Sequence, residues 1–309
     1  MIHSESAFET VCESTLLTHG FMKVDRAGFD PLLAIFPVEV IQFIKTTQAK
    51  DWAKIESVLG DKAESQILRD LVTWMDANGS LATLRHGFKC YGRTFRIAYF
   101  RAAHGLNPEL EARYQANRIG ITRQLQYSDK HSNSLDLTIS VNGIPVATLE
   151  LKNPMTGQNV GHAVSQYMND RDPRETIFEF KKRTLVHFAV DPDEVRMTTR
   201  LAGKSTYFLP FNKGNNNGKG NPPDPEGRSY RTAYLWEEVL QRDSLLDLIN
   251  RFLHLQIETK RTEYGQKVKK ESMIFPRYHQ LQAVRQIECS AKSEGPGHNY
   301  LIEHSAGSG

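Results

Sequence analysis

The sequence predicts an α/β fold, in which helices flank a mixed β-sheet and a helical elaboration precedes it at the N-terminal end. Three observations lead to this prediction. Apolar residues recur every three or four positions through most of residues 4–79, segments rich in β-forming residues follow, and helical periodicity returns beyond residue 160. The chain has 309 residues, of which 39% are hydrophobic and 24% charged, so it can bury a core without disulfides or metals.

The first half of the chain starts helical and changes to strands near residue 80. The helical periodicity breaks at the Asn78-Gly79 pair, where glycine is a typical helix terminator. Beyond this point the segments are short, rich in β-formers and separated by glycines. The predicted elements are helices over 4–20, 31–79 and 107–119, and strands over 81–86, 87–91, 94–100 and 120–127.

The second half alternates short strands with helices and contains one long loop. Residues 212–229 are rich in Asn, Gly and Pro, a composition that cannot build a core, so we expect a surface loop. The charged stretch 258–272 is predicted to be a linker. The other predicted elements are a hairpin over 134–153, strands over 184–191, 194–201, 205–211 and 299–303, and helices over 160–170, 232–257 and 277–292.

Composition disfavours several classes of protein. No apolar run approaches the ~18 residues that a membrane span needs, and the N-terminus has no signal-peptide segment, so membrane and secreted proteins are disfavoured. The cysteines at 12, 90 and 289 are widely spaced and suit a reducing, cytoplasmic location. Without a Cys-x-x-Cys pair or an HExxH motif, the histidines do not indicate a zinc site.

The net charge of +3 permits a nucleic-acid partner but does not by itself indicate one. Two local clusters are the candidates for a contact with DNA: Lys181-Lys182-Arg183 and the stretch from Lys267 to Lys270. Because such clusters are more often solvated surface than binding sites, both interpretations stay open for each of them.

The segment from Ser134 to Asn153 predicts a β-hairpin with one chemically active face. Apolar and polar residues alternate in both halves, and the Asn142-Gly143 pair marks the turn. Alternation places Asp136, Glu150 and Lys152 together on the polar face. This grouping makes the hairpin the main candidate for a functional site in the sequence.

The length of the hairpin loop decides whether the two carboxylates share a face. A two-residue turn pairs Val141 with Ile144, and therefore Asp136 with Leu149, which separates the carboxylates. A three-residue loop with Gly143 in the left-handed region, or a five-residue loop, restores the shared face. We therefore expect one of the longer loops and no tight Asn-Gly turn.

Two carboxylates on neighbouring strands form an oxygen-ligand site for a divalent cation such as Mg²⁺. A lysine two residues after the second carboxylate points to the same face, where it can orient or activate a water molecule. The cation polarises a phosphodiester and lowers the pKa of bound water, as phosphodiester hydrolysis requires. An ordinary charged hairpin surface is the alternative, since this spacing also arises by chance.

The pattern Asp136-x13-Glu150-x-Lys152 resembles the PD-(D/E)xK nuclease superfamily. The surrounding sequence is more specific, and from about Glu5 to Gly309 it resembles the N-terminal nuclease region of the restriction (R) subunit of type I restriction–modification enzymes. The stretches that carry this resemblance are LRHGFK (84–89), NGIPVATLELKNP (142–154), QYMNDRDPRE (166–175), LVHFAVD (185–191), TTRLAG (198–203), FLPFN (208–212) and TAYLWEEVLQRDSLLDL (232–248). The resemblance implies a restriction-endonuclease-like core in which Asp136 and Glu150 bind Mg²⁺ and Lys152 is catalytic.

The resemblance also implies auxiliary positions. Related nucleases often have a glutamate on the first helix near the metal, which Glu9 or Glu5 matches, although an exposed helical charge explains either residue equally well. Many also carry Gln-x-x-x-Tyr on the helix after the lysine, whereas here Gln166 is followed directly by Tyr167. Gln166 therefore stays a candidate for contact with the site or with DNA, and Tyr167 is expected to pack in the core.

The C-terminal end resembles the start of a superfamily 2 helicase. Residues 275–284 (FPRYHQLQAV) resemble the adenine-sensing Q-motif, and the end of the chain resembles a phosphate-binding loop cut off before its Lys-Ser/Thr. A Gly/Ser-rich end without function is the alternative. The nucleotide-binding residues implied are Gln280, Gly307, Ser308 and Gly309. The domains implied are an endonuclease domain, 1–257, and a linker with the truncated start of an ATPase domain, 258–309, which we expect not to bind ATP tightly.

By resemblance, the chain is expected to be a Mg²⁺-dependent endonuclease module that cleaves double-stranded DNA. The whole subunit would join methyltransferase and specificity subunits and cut after ATP-driven translocation. We expect its DNA contacts to be mainly to phosphates and therefore salt-dependent. A non-catalytic docking module that anchors the motor to its partner subunits is the alternative, and such a module would not need Asp136, Glu150 and Lys152 on one face.

Overall fold

The computed structural model describes residues 5–102, 107–215, 218–261 and 267–304. The helices are α1 (Glu5–Thr18), α2 (Pro37–Thr47), α3 (Ala49–Leu59), α4 (Ala63–Asn78), α5 (Ser80–His86), α6 (Pro108–Gln115), α7 (Val160–Asn169), α8 (Arg242–Asp247) and α9 (Tyr278–Glu294). The strands are β1 (Met22–Lys23), β2 (Phe88–Cys90), β3 (Arg93–Phe95), β4 (Ile119–Gln126), β5 (Ser134–Val141), β6 (Ile144–Leu151), β7 (Val186–Val190), β8 (Val195–Thr198), β9 (Leu209–Pro210), β10 (His254–Arg261) and β11 (Lys267–Ile274). Within these ranges, no helix is long and apolar enough to cross a membrane.

Seven strands form one mixed sheet in the order β1-β4-β5-β6-β7-β8-β9. The β1–β4 and β6–β7 pairs are parallel, and the other neighbouring pairs are antiparallel. Helices α1 and α7 both contact β6, and the two central strands β5 and β6 are buried along almost their whole length. The predicted α/β fold, with a mixed sheet, flanking helices and a helical N-terminal elaboration, is confirmed.

The strand predicted over 81–86 is wrong, because this segment is helix α5. Leu81 and Leu84 stand three residues apart and are both buried, which is helical spacing. Gly79 and Gly87, both with positive φ, bracket the helix and stop it at each end. The strands predicted over 87–91 and 94–100 correspond to the hairpin of β2 and β3, but β3 ends at Phe95 and residues 96–100 form no strand.

The C-terminal part differs from its prediction in three places. The helical turns that start at Leu235 end at Phe252, short of the predicted residue 257, and the predicted linker over 258–272 lies in an antiparallel hairpin of β10 and β11. Eight consecutive residue pairs form this hairpin, so backbone pairing outweighs the charge of the segment. Residues 299–303 form no strand, because no described strand pairs with them. An ATPase domain that starts after residue 257 stays a prediction.

Helix α9 folds back onto the main hydrophobic core. Tyr278 and Leu281 are buried in the same cluster as Leu149 of β6, whereas Val284 is exposed. One face of the helix therefore packs against the sheet domain.

Candidate active site

The hairpin of β5 and β6 closes with a tight two-residue turn, so the prediction of a longer loop is wrong. Val141 pairs with Ile144, and Asn142 and Gly143 both have positive φ, 50° and 87°. The turn is fixed from outside the hairpin: the Asn142 side chain is fully buried and its Nδ2 donates to Ile97 O at 2.7 Å. These tertiary contacts favour the tight turn that the register argument disfavours.

A β-bulge restores the register that the turn disturbs. Ser140 pairs with Pro145, but Ile139 pairs with Ala147, which leaves Val146 as an extra residue on β6. Beyond the bulge Leu137 pairs with Leu149. The shared face predicted for the carboxylates is therefore present, although it arises from a bulge in the strand and not from the loop.

Asp136 and Glu150 flank the Leu137–Leu149 pair, so both side chains point to the face opposite to these leucines. Its Oδ2 accepts a hydrogen bond from the backbone N–H of Leu151 at 2.7 Å, and its Oδ1 accepts one from Gln124 Nε2 at 3.2 Å. The carboxylate is thus held from both neighbouring strands and is 7% exposed.

Glu150 is fully buried and is paired with Arg171. Arg171 Nε donates to Glu150 Oε1 at 2.8 Å, and Arg171 Nη2 lies 2.7 Å from the same oxygen in an ion pair. The second oxygen, Oε2, is buried and has no hydrogen-bond partner in the described structure. Burial, followed by repulsion from Asp136, raises the pKa of Glu150 to about 8, although the charges of Arg171 and Lys152 oppose this shift. Burying a carboxylate with one unsatisfied oxygen costs free energy unless a cation or a proton binds to that oxygen.

Lys152 comes directly after β6 and faces the same cleft as Asp136. The cleft has a volume of about 1020 Å³, and its wall also includes Glu9, Gln166 and Arg171. The backbone N–H of Lys152 donates to Val190 O at 2.9 Å, which fixes the residue to β7. The three residues predicted to form one site are therefore brought together, with Glu150 beneath the surface of the cleft.

Glu9 lies at the other side of the cleft, on α1, and is connected to Asp136 through one side chain. Gln124 Nε2 donates to Glu9 Oε1 at 2.9 Å as well as to Asp136. Arg123 Nη2 donates to Glu9 Oε2 at 2.8 Å. Burial raises the pKa of Glu9, and the Asp136 charge adds to this rise. Glu9, rather than an exposed helical charge, is thus the first-helix glutamate at the site; the side chain of Glu5 lies outside the described residues.

Gln166 and Tyr167 have different surroundings although they are adjacent. Gln166 is half-buried on the cleft wall. Tyr167 is fully buried, and its hydroxyl lies 2.8 Å from Thr148 Oγ1, which in turn lies 2.7 Å from His187 Nδ1. Tyr167 therefore packs under the sheet, as expected, and Gln166 stays the candidate for a ligand contact.

Sequence reasoning missed Arg171 and Gln124. Arg171 lies in the stretch 166–175 that carried the family resemblance, which is the one signal that pointed to it. Gln124 has φ +48°, uncommon for a residue with a side chain, and nothing in the alternation of β4 marks it. Both act through hydrogen bonds to the predicted carboxylates.

The predicted nucleotide-binding residues are only partly described. Gln280 Oε1 accepts a hydrogen bond from the backbone N–H of Arg277 at 2.9 Å, so it caps the start of α9. Gly307, Ser308 and Gly309 lie outside the described residues. The nucleotide site stays a prediction.

The two carboxylates are compatible with a Mg²⁺ site, because Mg²⁺ needs few protein ligands. Among the described residues no group of three or more His, Cys, Asp or Glu side chains is arranged to hold a metal. Mg²⁺, however, is commonly bound through one or two carboxylates together with waters and substrate phosphates. Asp136 and the unpaired Oε2 of Glu150 supply such a pair.

Comparison with known proteins identifies the family. Residues 53–206, which include the β5–β6 hairpin, α7 and the cleft residues except Glu9, match the family model described as Type I restriction enzyme R protein N terminus (HSDR_N). No curated protein matches the chain. The chain therefore belongs to the family of type I restriction enzyme R protein N-terminal regions.

Proposed function

We propose that this chain is the Mg²⁺-dependent endonuclease module of a type I restriction subunit and cleaves the phosphodiester backbone of double-stranded DNA. The observation that carries the proposal is that Asp136 and Glu150 share a face beside the Leu137–Leu149 pair, and that Oε2 of the buried Glu150 has no hydrogen-bond partner among the described residues. Lys152 opens into the same cleft. A structural hairpin would have no reason to bury an unsatisfied carboxylate beside a second one.

Each residue of the site has a distinct task in this proposal. Asp136 and Glu150 would hold the cation. The bound cation would act as a Lewis acid that activates the scissile phosphate and a water molecule. Lys152 orients that water and stabilises negative charge on the phosphate. Gln124 fixes Asp136 and Glu9 relative to each other, and Gln166 lies where it can contact DNA in the cleft.

The structure favours one of the two basic clusters as the DNA contact. In the first, Lys181 pairs with Glu271, Lys182 pairs with Glu179, and Arg183 is fully buried. In the second, Lys267, Lys269 and Lys270 are exposed on β11. We therefore assign the phosphate contacts outside the cleft to the β10–β11 hairpin.

The wider setting follows from the family. A type I restriction R subunit acts with methyltransferase and specificity subunits, and we propose that cleavage here follows ATP-driven translocation of DNA. A purely docking role would leave Asp136, Glu150 and Lys152 without a function on their shared cleft. The docking alternative is therefore less well supported than the nuclease.

The experiment that tests the proposal separates cleavage from translocation. The complete restriction complex is assembled with K152A, and both DNA cleavage and ATP hydrolysis are measured. We expect cleavage to be lost and ATP hydrolysis to remain, because the water-activating group is separate from the motor. K130A is the matched control, since Lys130 is exposed and precedes His131, which lines the cleft. Cleavage by K152A at the normal rate would contradict the assignment.

A further inference from the structure

We propose that Arg171 is a positioning residue, which engages one oxygen of Glu150 and thereby reserves the other for the divalent cation. This inference rests on the proposed function, since it concerns the cation that the nuclease would use. It assigns a role to a residue outside the predicted Asp136, Glu150 and Lys152 set.

The contacts of Arg171 are unevenly divided between the two carboxylate oxygens. Nε donates to Oε1 and Nη2 lies 2.7 Å from the same oxygen, whereas Oε2 has no hydrogen-bond partner among the described residues. A guanidinium commonly meets a carboxylate with two parallel bonds, one to each oxygen. Here the fork meets a single oxygen, so Glu150 keeps one oxygen for a second cationic partner.

The guanidinium is itself fixed and cannot easily turn away. Nη2 also donates to the backbone carbonyl of Ser134 at 2.7 Å, at the start of β5. The ring of Tyr127 lies 5.6 Å from the guanidinium carbon, a cation–π distance. The side chain of Arg171 is 3% exposed. The Ser134 carbonyl and the Tyr127 ring fix the plane of the guanidinium. Arg171 therefore fixes the orientation of the Glu150 carboxylate in turn.

The chain also anchors the backbone beside Arg171. Asp170, just beyond α7, accepts hydrogen bonds through its carbonyl oxygen from Tyr127 Oη and Asn133 Nδ2, each at 3.3 Å. Arg171 is thereby held from the residues that connect β4 to β5.

Arg174 provides an internal contrast. It lines the same cleft three residues later, but its side chain is 89% exposed and pairs with Asp172 instead of with the site. An arginine at this position contributes positive charge to the cleft without orienting a ligand. Comparing variants of Arg171 and Arg174 therefore separates the effect of orienting Glu150 from the effect of positive charge in the cleft.

The experiment measures Mn²⁺ binding by calorimetry in the whole chain for wild type, R171K, R171Q and R174K, with circular dichroism to confirm folding. Lysine keeps the charge but cannot reproduce the planar fork. We expect R171K and R171Q to bind Mn²⁺ about tenfold more weakly than wild type, as orienting partners of metal ligands do. We expect R174K to bind as wild type does.

Two outcomes would overturn the inference. Unchanged binding by folded R171K and R171Q would show that Glu150 does not depend on Arg171 for its orientation. Tighter binding by R171Q would show that Arg171 competes with the cation. D136N separates this inference from the proposed function: if wild type binds no Mn²⁺, or D136N binds as well as wild type, the nuclease proposal itself fails.

Discussion

Asp136 and Glu150 flank the Leu137–Leu149 pair and therefore share a face, although the turn that joins their strands has the wrong parity for this alignment. The tight Asn142-Gly143 turn would place Asp136 opposite Leu149, and the single extra residue Val146 corrects the register. The shared face of the two carboxylates therefore depends on two compensating features: the turn, which tertiary contacts fix, and the bulge within β6.

The turn itself gives the first prediction. G143A should destabilise the protein by about 3 kcal/mol, because the residue has φ +87° and an added Cβ would lie 2.6 Å from Phe36 O and 2.7 Å from Val40 Cγ2. G92A is the matched control, since Gly92 also has positive φ but nothing lies within 4 Å of its added Cβ. We expect a loss of only about 1 kcal/mol for the control. Urea unfolding measures both, and equal losses would contradict the argument.

The sequence allowed the fold class, the hairpin and the grouping of Asp136, Glu150 and Lys152 to be predicted, because strand alternation determines which side chains share a face. It did not reveal Val146 as a bulge, since a valine in an apolar strand looks the same whether it is paired or extra. Arg171 was also missed, because it lies beyond α7, where no periodicity applies. The sequence predicts a strand where α5 (Ser80–His86) lies, since seven residues are too few for a helical period to be clear.

The buried carboxyl of Glu150 gives a prediction about pH. Its pKa is about 8 in the folded protein and near 4.5 in the unfolded chain, so between these values the folded state holds a proton that the unfolded state has released. The stability from this group is fully present below pH 4.5 and is lost as the pH rises through 8, with a slope of at most about 1.4 kcal/mol per pH unit. E150Q should remove this part of the slope.

The control for E150Q is E64Q, which changes an exposed glutamate on α4. Free energies of unfolding are compared for wild type and both variants across this pH range. If the free energy of unfolding depends on pH equally in wild type, E150Q and E64Q, Glu150 is not the group that titrates.

His187 should produce a slope of the opposite sign. Burial lowers its pKa to about 3, against 6.5 for an unperturbed histidine, so below pH 6.5 the unfolded chain binds a proton that the folded protein does not. Stability should therefore fall as the pH drops from 6.5 towards 3. H187Q should flatten this fall in denaturant titrations, whereas H254Q, at an exposed position on β10, should leave it unchanged. Equal behaviour of the two variants would count against this origin of the slope.

The hairpin of β10 and β11 gives the last prediction, which concerns DNA. The double variant K269E/K270E reverses two exposed charges on β11, so it should weaken binding to a short labelled duplex by about tenfold or more and reduce the slope of log affinity against log salt by about two. K50E/K54E makes the same change in net charge on the exposed surface of α3 and is the control. Fluorescence anisotropy without Mg²⁺ measures binding apart from cleavage. If the two double variants lose affinity equally, net charge explains the loss, and the hairpin makes no specific contact with the phosphates.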